Sequence, residues 1–582
     1  MRIVLEAQEK DPRLLVRFPY RPDLVEKAKA LGGQWDPEEK AWAFHTAHTP
    51  RLRGLVGEAL EETLREFAEK VAWGRQALEK TKGLLLPTQQ EDLRHLWTAF
   101  LRSLKDPKAP KGFLLALGTG TGKTYVYAAF LRAAEAMGLE GVVVVPNEDL
   151  ARQTGKVLEG FGVRARLTTY GRLDPEEARG KLLVLDEAHL AKGGWSTDRG
   201  TRAWKAAERA LFTLYASATP FDRPWETGYL LLPTGVAGRR MGDLEGFLRP
   251  FGVRVRERPG GGKEYYFTGG VEGLVAFHRT LEARRFLRKR VLIPPEGLVD
   301  HEVTFLDLPR KERDLVAEVR RRLRQAADTA PSHLRGAVMG QRTLLTRALL
   351  ERIKLRAAFP LLEGLLTEGW HVALFLQYRG ERELDLSTKE GLEALLEERG
   401  GEVRELLLRA LRGLHLRLPS PLSLVEERFG WLGEGLAFYT GRESEAALRQ
   451  ARASWEEGRV RLLVLTGGKG GTGLSLHDTR GGRPTAQVVL TLPWTGSQLD
   501  QILGRTVRVG LASRVRFLFP VARVPAERHL GKVLAASLHT LGYAVRGGAP
   551  VVPEKVVQAF LYGLAEVDPE GFQLLVEEGG EE

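Results

Sequence analysis

Residues 113–126 read FLLALGTGTGKTYV. An apolar run of strand length gives way to Gly118-Thr119-Gly120-Thr121-Gly122, then to Lys123-Thr124, then to a run that suits a helix. Glycines let successive backbone N–H groups curl around phosphate oxygens. The helix start adds the positive end of a dipole. Lys123 suits the charge of β- and γ-phosphates, and the Thr124 hydroxyl suits Mg2+. The strict pattern G-x-x-x-x-G-K-[ST] asks for glycine at 117, where this chain has Leu117. That position ends the strand, before the groups that wrap the phosphates, so the departure leaves the mechanism standing. Gly118, Gly120, Gly122, Lys123 and Thr124 are therefore expected to bind ATP with Mg2+; the alternative is a glycine turn that holds nothing.

Such a loop needs an acidic partner at the end of a buried strand. LLVLDEAH (182–189) supplies one. Asp186 is expected to hold Mg2+, and Glu187 to orient and deprotonate an attacking water. A transferring kinase has no need of the second carboxylate. Taken alone, the pair reads equally well as acidic residues at a helix start. The apolar strand favours the catalytic reading, because it delivers both carboxylates to the same sheet edge as Lys123.

Outward from these two stretches, apolar strands alternate with amphipathic helices over 84–235 and again from 341 to 545: HVALFLQY, GLAFYTG, RLLVLTG, AQVVLTL, VRFLFPV. This predicts an α/β protein with two RecA-like parallel-sheet lobes in tandem. Residues 1–50 read as a small α+β module, 51–83 as a helical connector and 236–340 as an inter-lobe helical insertion. A charged, Leu-rich insertion spans 386–420, and 546–582 gives a C-terminal helix with an acidic end.

The second lobe carries LDQILGRTVRVG (499–510). Arg505 and Arg508 are spaced i, i+3, as on one helix face. Arginines reaching across a cleft stabilise charge on a transferring phosphoryl group. Either arginine alone reads as part of a solvated basic helix.

The 582 residues carry a formal net charge of +12 and no cysteine. The charge attracts polyanions, and a solvated basic surface would look the same. The missing cysteines exclude disulfides, cysteine-held zinc and iron–sulfur clusters. Asn147 is the sole asparagine and Lys, Arg and Glu abound, which suits a thermophile or a GC-rich coding bias. The apolar runs are too short to span a bilayer, and MRIVLEAQEKD has no signal pattern. A cytoplasmic protein without membrane contact is expected.

Taken together, the ordered segments resemble those of superfamily-two helicases and translocases. LLLPTQQ (84–90) is similar to the segment in which a glutamine, here Gln89, reads adenine. GTGTGKT, DEAH (186–189) and SATP (217–220) resemble the first three motifs, and QILGRTVR (501–508) the sixth, with Gln501 at the nucleotide. The resemblance implies that His189 couples ATP state to nucleic-acid grip through Ser217 and Thr219. It implies phosphate-backbone contacts for Arg152, Thr168, Thr169 and Thr472, and places Gly473 near the γ-phosphate. A lone His189 would read as a capping or core residue, and Arg152 as plain surface.

LRKRVLIPP (287–295), EVTFLDLPRKERDL (302–315) and GGTGLSLHD lean toward the Swi/Snf-like and strawberry-notch-like branch. RFPYRPDLVEKAKAL and WDPEEKAWAF resemble the HARP domain of annealing helicases, although Trp35 and Trp42 read equally as packing residues. The implied function is an ATP-dependent motor on duplex or branched DNA. The alternatives are a strand-unwinding DNA or RNA helicase, an ATP-gated motor subunit of a defence or restriction complex, and a small-substrate phosphotransferase. DNA is expected over RNA, with a possible protein partner through 236–340 or the C-terminal tail.

Overall fold

The computed structural model describes residues 4–7, 13–18, 20–38, 40–45, 49–106, 108–257, 262–376, 383–385, 388, 390, 401–414, 417–466 and 474–561. The first strands, β1 (Val4–Ala7), β2 (Arg13–Arg17), β3 (Gln34–Asp36) and β4 (Ala41–His45), form an antiparallel sheet in the order β1-β2-β4-β3. The helix Pro22–Ala30 packs on it through Ala28, against Val16, Trp42 and Phe44. Trp42 and Phe44 are core residues, whereas Trp35 stays 53% exposed. The long helix Thr49–Thr81 then runs to the first lobe and packs on its Lys123–Ala136 helix.

Lobe one is built on β5 (Gly112–Leu117), β6 (Gly141–Val145), β7 (Arg166–Thr169), β8 (Leu182–Asp186) and β9 (Phe212–Ala216). Every residue of β5, β6, β8 and β9 is buried, as expected of parallel strands covered by helices on both faces. Asn147 caps the helix Glu148–Gly160 by accepting from the Leu150 N–H at 2.9 Å. Beyond β9 come the hairpin β10 (Val253–Glu257) and β11 (Lys263–Phe267), the helix Gly270–Ala283 and β12 (Leu287–Arg290). β12 pairs parallel with β5, completing the order β12-β5-β9-β8-β6-β7.

β13 (Val299–Leu306) opens lobe two. The Arg-rich helix Arg310–Thr329 and the long helix Ser332–Thr367 follow, then β14 (His371–Leu376) and the short pair β15 (Leu384–Asp385) and β16 (Arg417–Leu418). β17 (Leu436–Tyr439), β18 (Leu462–Thr466), β19 (Thr485–Val489) and β20 (Val515–Ala522) complete a parallel sheet in the order β13-β20-β19-β14-β18-β17. Two tandem RecA-like lobes are thus present. The stretch 236–340 supplies an edge strand to each, β12 to the first and β13 to the second, together with helices of both. Of the 386–420 insertion, the helix Gly401–Leu411 is described. Of the C-terminal stretch, the helix Glu554–Phe560 buries Val556, Val557 and Phe560 in the core of lobe two. No helix among the described residues is long and apolar enough to cross a membrane.

Candidate active site between the lobes

β5 ends at Leu117, which is fully buried, and the loop turns there. Gly120 and Gly122 have φ of 72° and 82°, a region that favours glycine. A second constraint acts at Gly122, where a Cβ would lie 2.2 Å from Nε2 of Gln89. Gln89 is buried under the loop. Its Nε2 donates to the Thr121 carbonyl at 3.2 Å, and its Oε1 accepts from the Leu86 N–H at 2.9 Å. The same Thr121 carbonyl accepts from Arg290 of β12 at 3.1 Å, and the Gly118 N–H donates to the Arg290 carbonyl at 2.9 Å. Asp92, fully buried, bonds Arg288 at 3.0 Å and Arg290 at 2.7 Å. The phosphate loop is therefore braced from two sides. Sequence reading missed Asp92 and Arg290, because only the pairing of β12 with β5 brings them to the loop.

Lys123 is buried at the first position of its helix. Its Nζ donates to the Leu117 carbonyl at 3.3 Å and lies 4.0 Å from Oε1 of Glu187. Asp186, the last residue of β8, accepts from the Tyr127 hydroxyl at 3.2 Å, and its backbone carbonyl accepts from the Tyr170 hydroxyl at 2.8 Å. Neither tyrosine was singled out by the sequence. Burial, and then the neighbouring Glu187 charge, raise the Asp186 carboxyl to about 6. Glu187 is half-buried, and loss of solvent would raise it, but Lys123 and then His189 outweigh this and hold it at about 2. The Glu187 backbone is left-handed, φ 49° and ψ 51°. That conformation is uncommon for a non-glycine residue and concentrates at functional sites; here it accompanies a carboxylate held beside Lys123 and His189.

His189 joins the two lobes. Its Nδ1 lies 3.2 Å from the Ser217 hydroxyl and 3.4 Å from Oε2 of Glu187. Its Nε2 lies 3.1 Å from Nε2 of Gln501, on the lobe-two helix Gly496–Leu503. The Ser217 oxygen also accepts from the Thr219 N–H at 3.2 Å. Thr219 Oγ1 is buried without a hydrogen-bond partner.

The helix that carries Gln501 stops at Leu503, with Gly504 as its cap. Arg505 and Arg508 thus lie beyond it and do not share a helix face. The break has two causes. Thr506 is pulled toward β19 by a hydrogen bond from its hydroxyl to Oε1 of Gln487. Gly504 meets the other lobe so closely that a Cβ would lie 1.7 Å from Oγ1 of Thr119. Arg508 lies across the phosphate loop. A Cβ on Gly120 would meet its Cγ at 2.8 Å, while its Nε donates to the Gly504 carbonyl at 3.0 Å. Arg505 is buried beside the Phe375 ring, with Nε and Nη1 unpartnered. Burial and the nearby Arg508 push it down to about 10.

Buried cations without compensating charge are costly. Arg505 is such a cation; with Lys123 and the half-buried Arg508 at the glycine loop itself, the cleft suits a polyanion such as a nucleotide triphosphate. Mg2+ fits as well. It needs few protein ligands beside phosphate oxygens and water, and Asp186 and Thr124 on the first helical turn can provide them. Among the described residues no group of three or more His, Asp or Glu could hold a metal unaided.

Arg152 is exposed on the Glu148–Gly160 helix and paired with Asp149. Thr168 and Thr169 lie on the edge strand β7, half-buried. Thr472 and Gly473 lie outside the described residues.

Residues 82–172 match the family model described as "Type III restriction enzyme, res subunit". The match takes in Gln89, the phosphate loop, Arg152, Thr168 and Thr169 and ends before Asp186. No curated protein matches the chain. Among solved structures, the Sulfolobus solfataricus SWI2/SNF2 ATPase core in complex with dsDNA is 15% identical, with 84% of this chain and 96% of that chain covered and a TM-score of 0.29. The Sulfolobus solfataricus SWI2/SNF2 ATPase core domain is 13% identical, with 75% and 85% covered and a TM-score of 0.30. At such scores these two likenesses add nothing to the fold read from the sheets. The family match covers residues 82–172 and so lies on the glycine loop of the first of the two RecA-like lobes.

Proposed function

We propose that the protein is an ATP-driven DNA translocase that moves on duplex or branched DNA, remodelling forks, migrating branches or annealing strands. The observation that carries the reading is the approach of Arg508 and Gln501 of lobe two to Gly120 and His189 of lobe one. A nucleotide in that cleft is contacted from both lobes, so its hydrolysis changes their relation.

In this reading the backbone N–H groups of 118–122 wrap the phosphates and Lys123 moves onto them. Mg2+, held by Thr124 and Asp186, would neutralise phosphate charge. Once Lys123 turns to phosphate it leaves Glu187, whose carboxylate then rises from its low value and can accept a proton from water. Arg508 and Arg505 stabilise the charge that develops on the transferred group. Gln501 senses the state of Glu187 through His189. Gln89 stands where the family reads adenine, and here it also supports the loop. Arg152, Thr168, Thr169 and Thr472 are assigned to the DNA backbone, where contacts position the strand without reading sequence.

The match to a restriction-enzyme subunit favours a second reading, an ATP-gated motor that works within a larger complex. Steady-state ATP hydrolysis at elevated temperature separates them. The substrates are no polymer, single-stranded DNA, duplex DNA, a model fork and RNA. Stimulation by duplex or fork is expected. Stimulation by single strands or RNA alone would point to an unwinder, and none by any polymer to the complex-bound motor.

A further inference from the structure

Asp222 follows the SATP segment by two residues and lies on lobe one, yet its carboxylate is spent mostly on lobe two. One oxygen, Oδ1, accepts three hydrogen bonds. They come from the Ser497 N–H at 3.0 Å, the Ser497 hydroxyl at 2.6 Å and the Ser537 hydroxyl at 2.7 Å. The other, Oδ2, takes the Lys192 ammonium at 2.5 Å. Asp222 is 2% exposed. Its backbone N–H is in turn held by Glu226 at 2.8 Å.

Ser497 lies in the first turn of the Gly496–Leu503 helix, where N–H groups have no partner inside the helix. Asp222 therefore caps, from the opposite lobe, the helix that bears Gln501 and leads to Arg505 and Arg508. A carboxylate there also suits the helix dipole. Ser537 ties in the next helix, Pro525–His539, for it accepts from the Gly496 N–H at 2.7 Å while donating to Asp222. On the lobe-one side, Lys192 follows His189 by three residues, so the junction begins beside the acidic pair.

We infer that Asp222 is a positioning residue that docks the Gly496–Leu503 helix of lobe two onto lobe one and thereby sets Gln501, Arg505 and Arg508 at the phosphate loop. The catalytic half of the inference rests on the ATPase reading above; the docking half does not.

The full chain lacks cysteine, so Glu159→Cys on lobe one and Arg449→Cys on lobe two admit a fluorescent donor–acceptor pair without background. Without nucleotide, Asp222→Ala is expected to lower energy transfer. Asp222→Asn keeps an acceptor oxygen and is expected to restore most of it. In turnover, Asp222→Ala should lower kcat at least about tenfold, the weight of one charge-assisted hydrogen bond, with KM for ATP within about twofold of wild type. A residue that only stabilised the fold would lower the melting temperature and leave kcat of the folded fraction intact.

Unchanged transfer in Asp222→Ala would overturn docking, and lowered transfer with unchanged kcat would overturn positioning. If Asp222→Ala does not fold, the pair Ser497→Ala with Ser537→Ala removes two of the three donors from the other lobe and is read the same way. A wild-type chain that hydrolyses no ATP with any polymer would sink the ATPase reading, while the transfer measurement would still decide the docking.

Discussion

Gln501 Nε2 lies 3.1 Å from Nε2 of His189, and the other ring nitrogen of His189 lies 3.4 Å from Glu187. With the amide donating to Nε2, the proton of a neutral ring sits on Nδ1, facing Glu187 and Ser217. In the proposed mechanism a displacement of lobe two reaches the acidic pair through this one side chain. His189→Ala and Gln501→Ala should each lower polymer-stimulated kcat about tenfold, and the double variant should be no worse than the worse single one, because neighbours in one network do not add. Additive losses, measured as a double-mutant cycle on stimulated ATPase, would break the link.

Glu187→Gln should abolish turnover, by about a thousandfold or more, and still bind ATP. Lys123→Ala should abolish turnover and weaken ATP binding. Arg508→Ala should lower kcat by about 10³ with binding retained. Equilibrium binding of a fluorescent ATP analogue, beside steady-state hydrolysis, separates the three. Normal hydrolysis by Glu187→Gln would remove it as the base.

Asp186 is raised to about 6, and in the proposed mechanism it must ionise to hold Mg2+. The apparent Mg2+ affinity should therefore be flat above that value and fall by about tenfold per pH unit below it, read as the Mg2+ dependence of hydrolysis at several pH values. The stability of the nucleotide-free protein runs the opposite way. A carboxyl raised above its unfolded value of 3.8 contributes stability that is whole below that value and is lost as pH rises through about 6. Asp186→Asn should thus raise the melting temperature of the nucleotide-free protein above pH 6 while abolishing turnover. An unchanged melting temperature would mean that Asp186 is not held near 6.

Gly504→Ala places a methyl group 1.7 Å from Oγ1 of Thr119, at the contact between lobes. It should lower kcat sharply, by about a hundredfold, as expected when reacting groups are displaced by about 1 Å. The melting temperature should hardly change, because each lobe keeps its own core. Circular dichroism melts and ATPase on the same preparation test this; a large loss of stability would count against it.

Deleting residues 1–48 removes the four-stranded module but leaves the helix Thr49–Thr81 on lobe one. Basal ATPase should stay within about twofold, while stimulation by a model fork should drop. Unchanged fork stimulation would reduce the module to a structural cap.

Much of this protein could be read in one dimension. Buried parallel strands must be apolar along their whole length, so FLLAL, VVVV and LLVLD announced the first sheet, and the five runs from 371 onward announced the second. Glycine spacing with Lys123, and the acidic pair at a strand end, marked the candidate phosphate loop and its candidate partner, because phosphate binding uses backbone geometry that only certain residues allow. What the sequence by itself determined was thus the periodicity of each element and the residue types that local chemistry demands.

Tertiary structure alone decided what lies beside what. Nothing in 287–290 signals that Arg290 clamps the phosphate loop; that follows from the pairing of β12 with β5. The i, i+3 spacing of Arg505 and Arg508 predicted a shared helix face, and the close approach of Gly504 to Thr119, with the pull of Gln487 on Thr506, ends the helix before them. Asp222, an ordinary loop aspartate by its neighbours, gains its role from serines 275 and 315 residues away. Hydrogen bonds and ion pairs act over a few ångströms of space and carry no periodic trace along the chain, so contacts between lobes become visible only when the lobes are placed together.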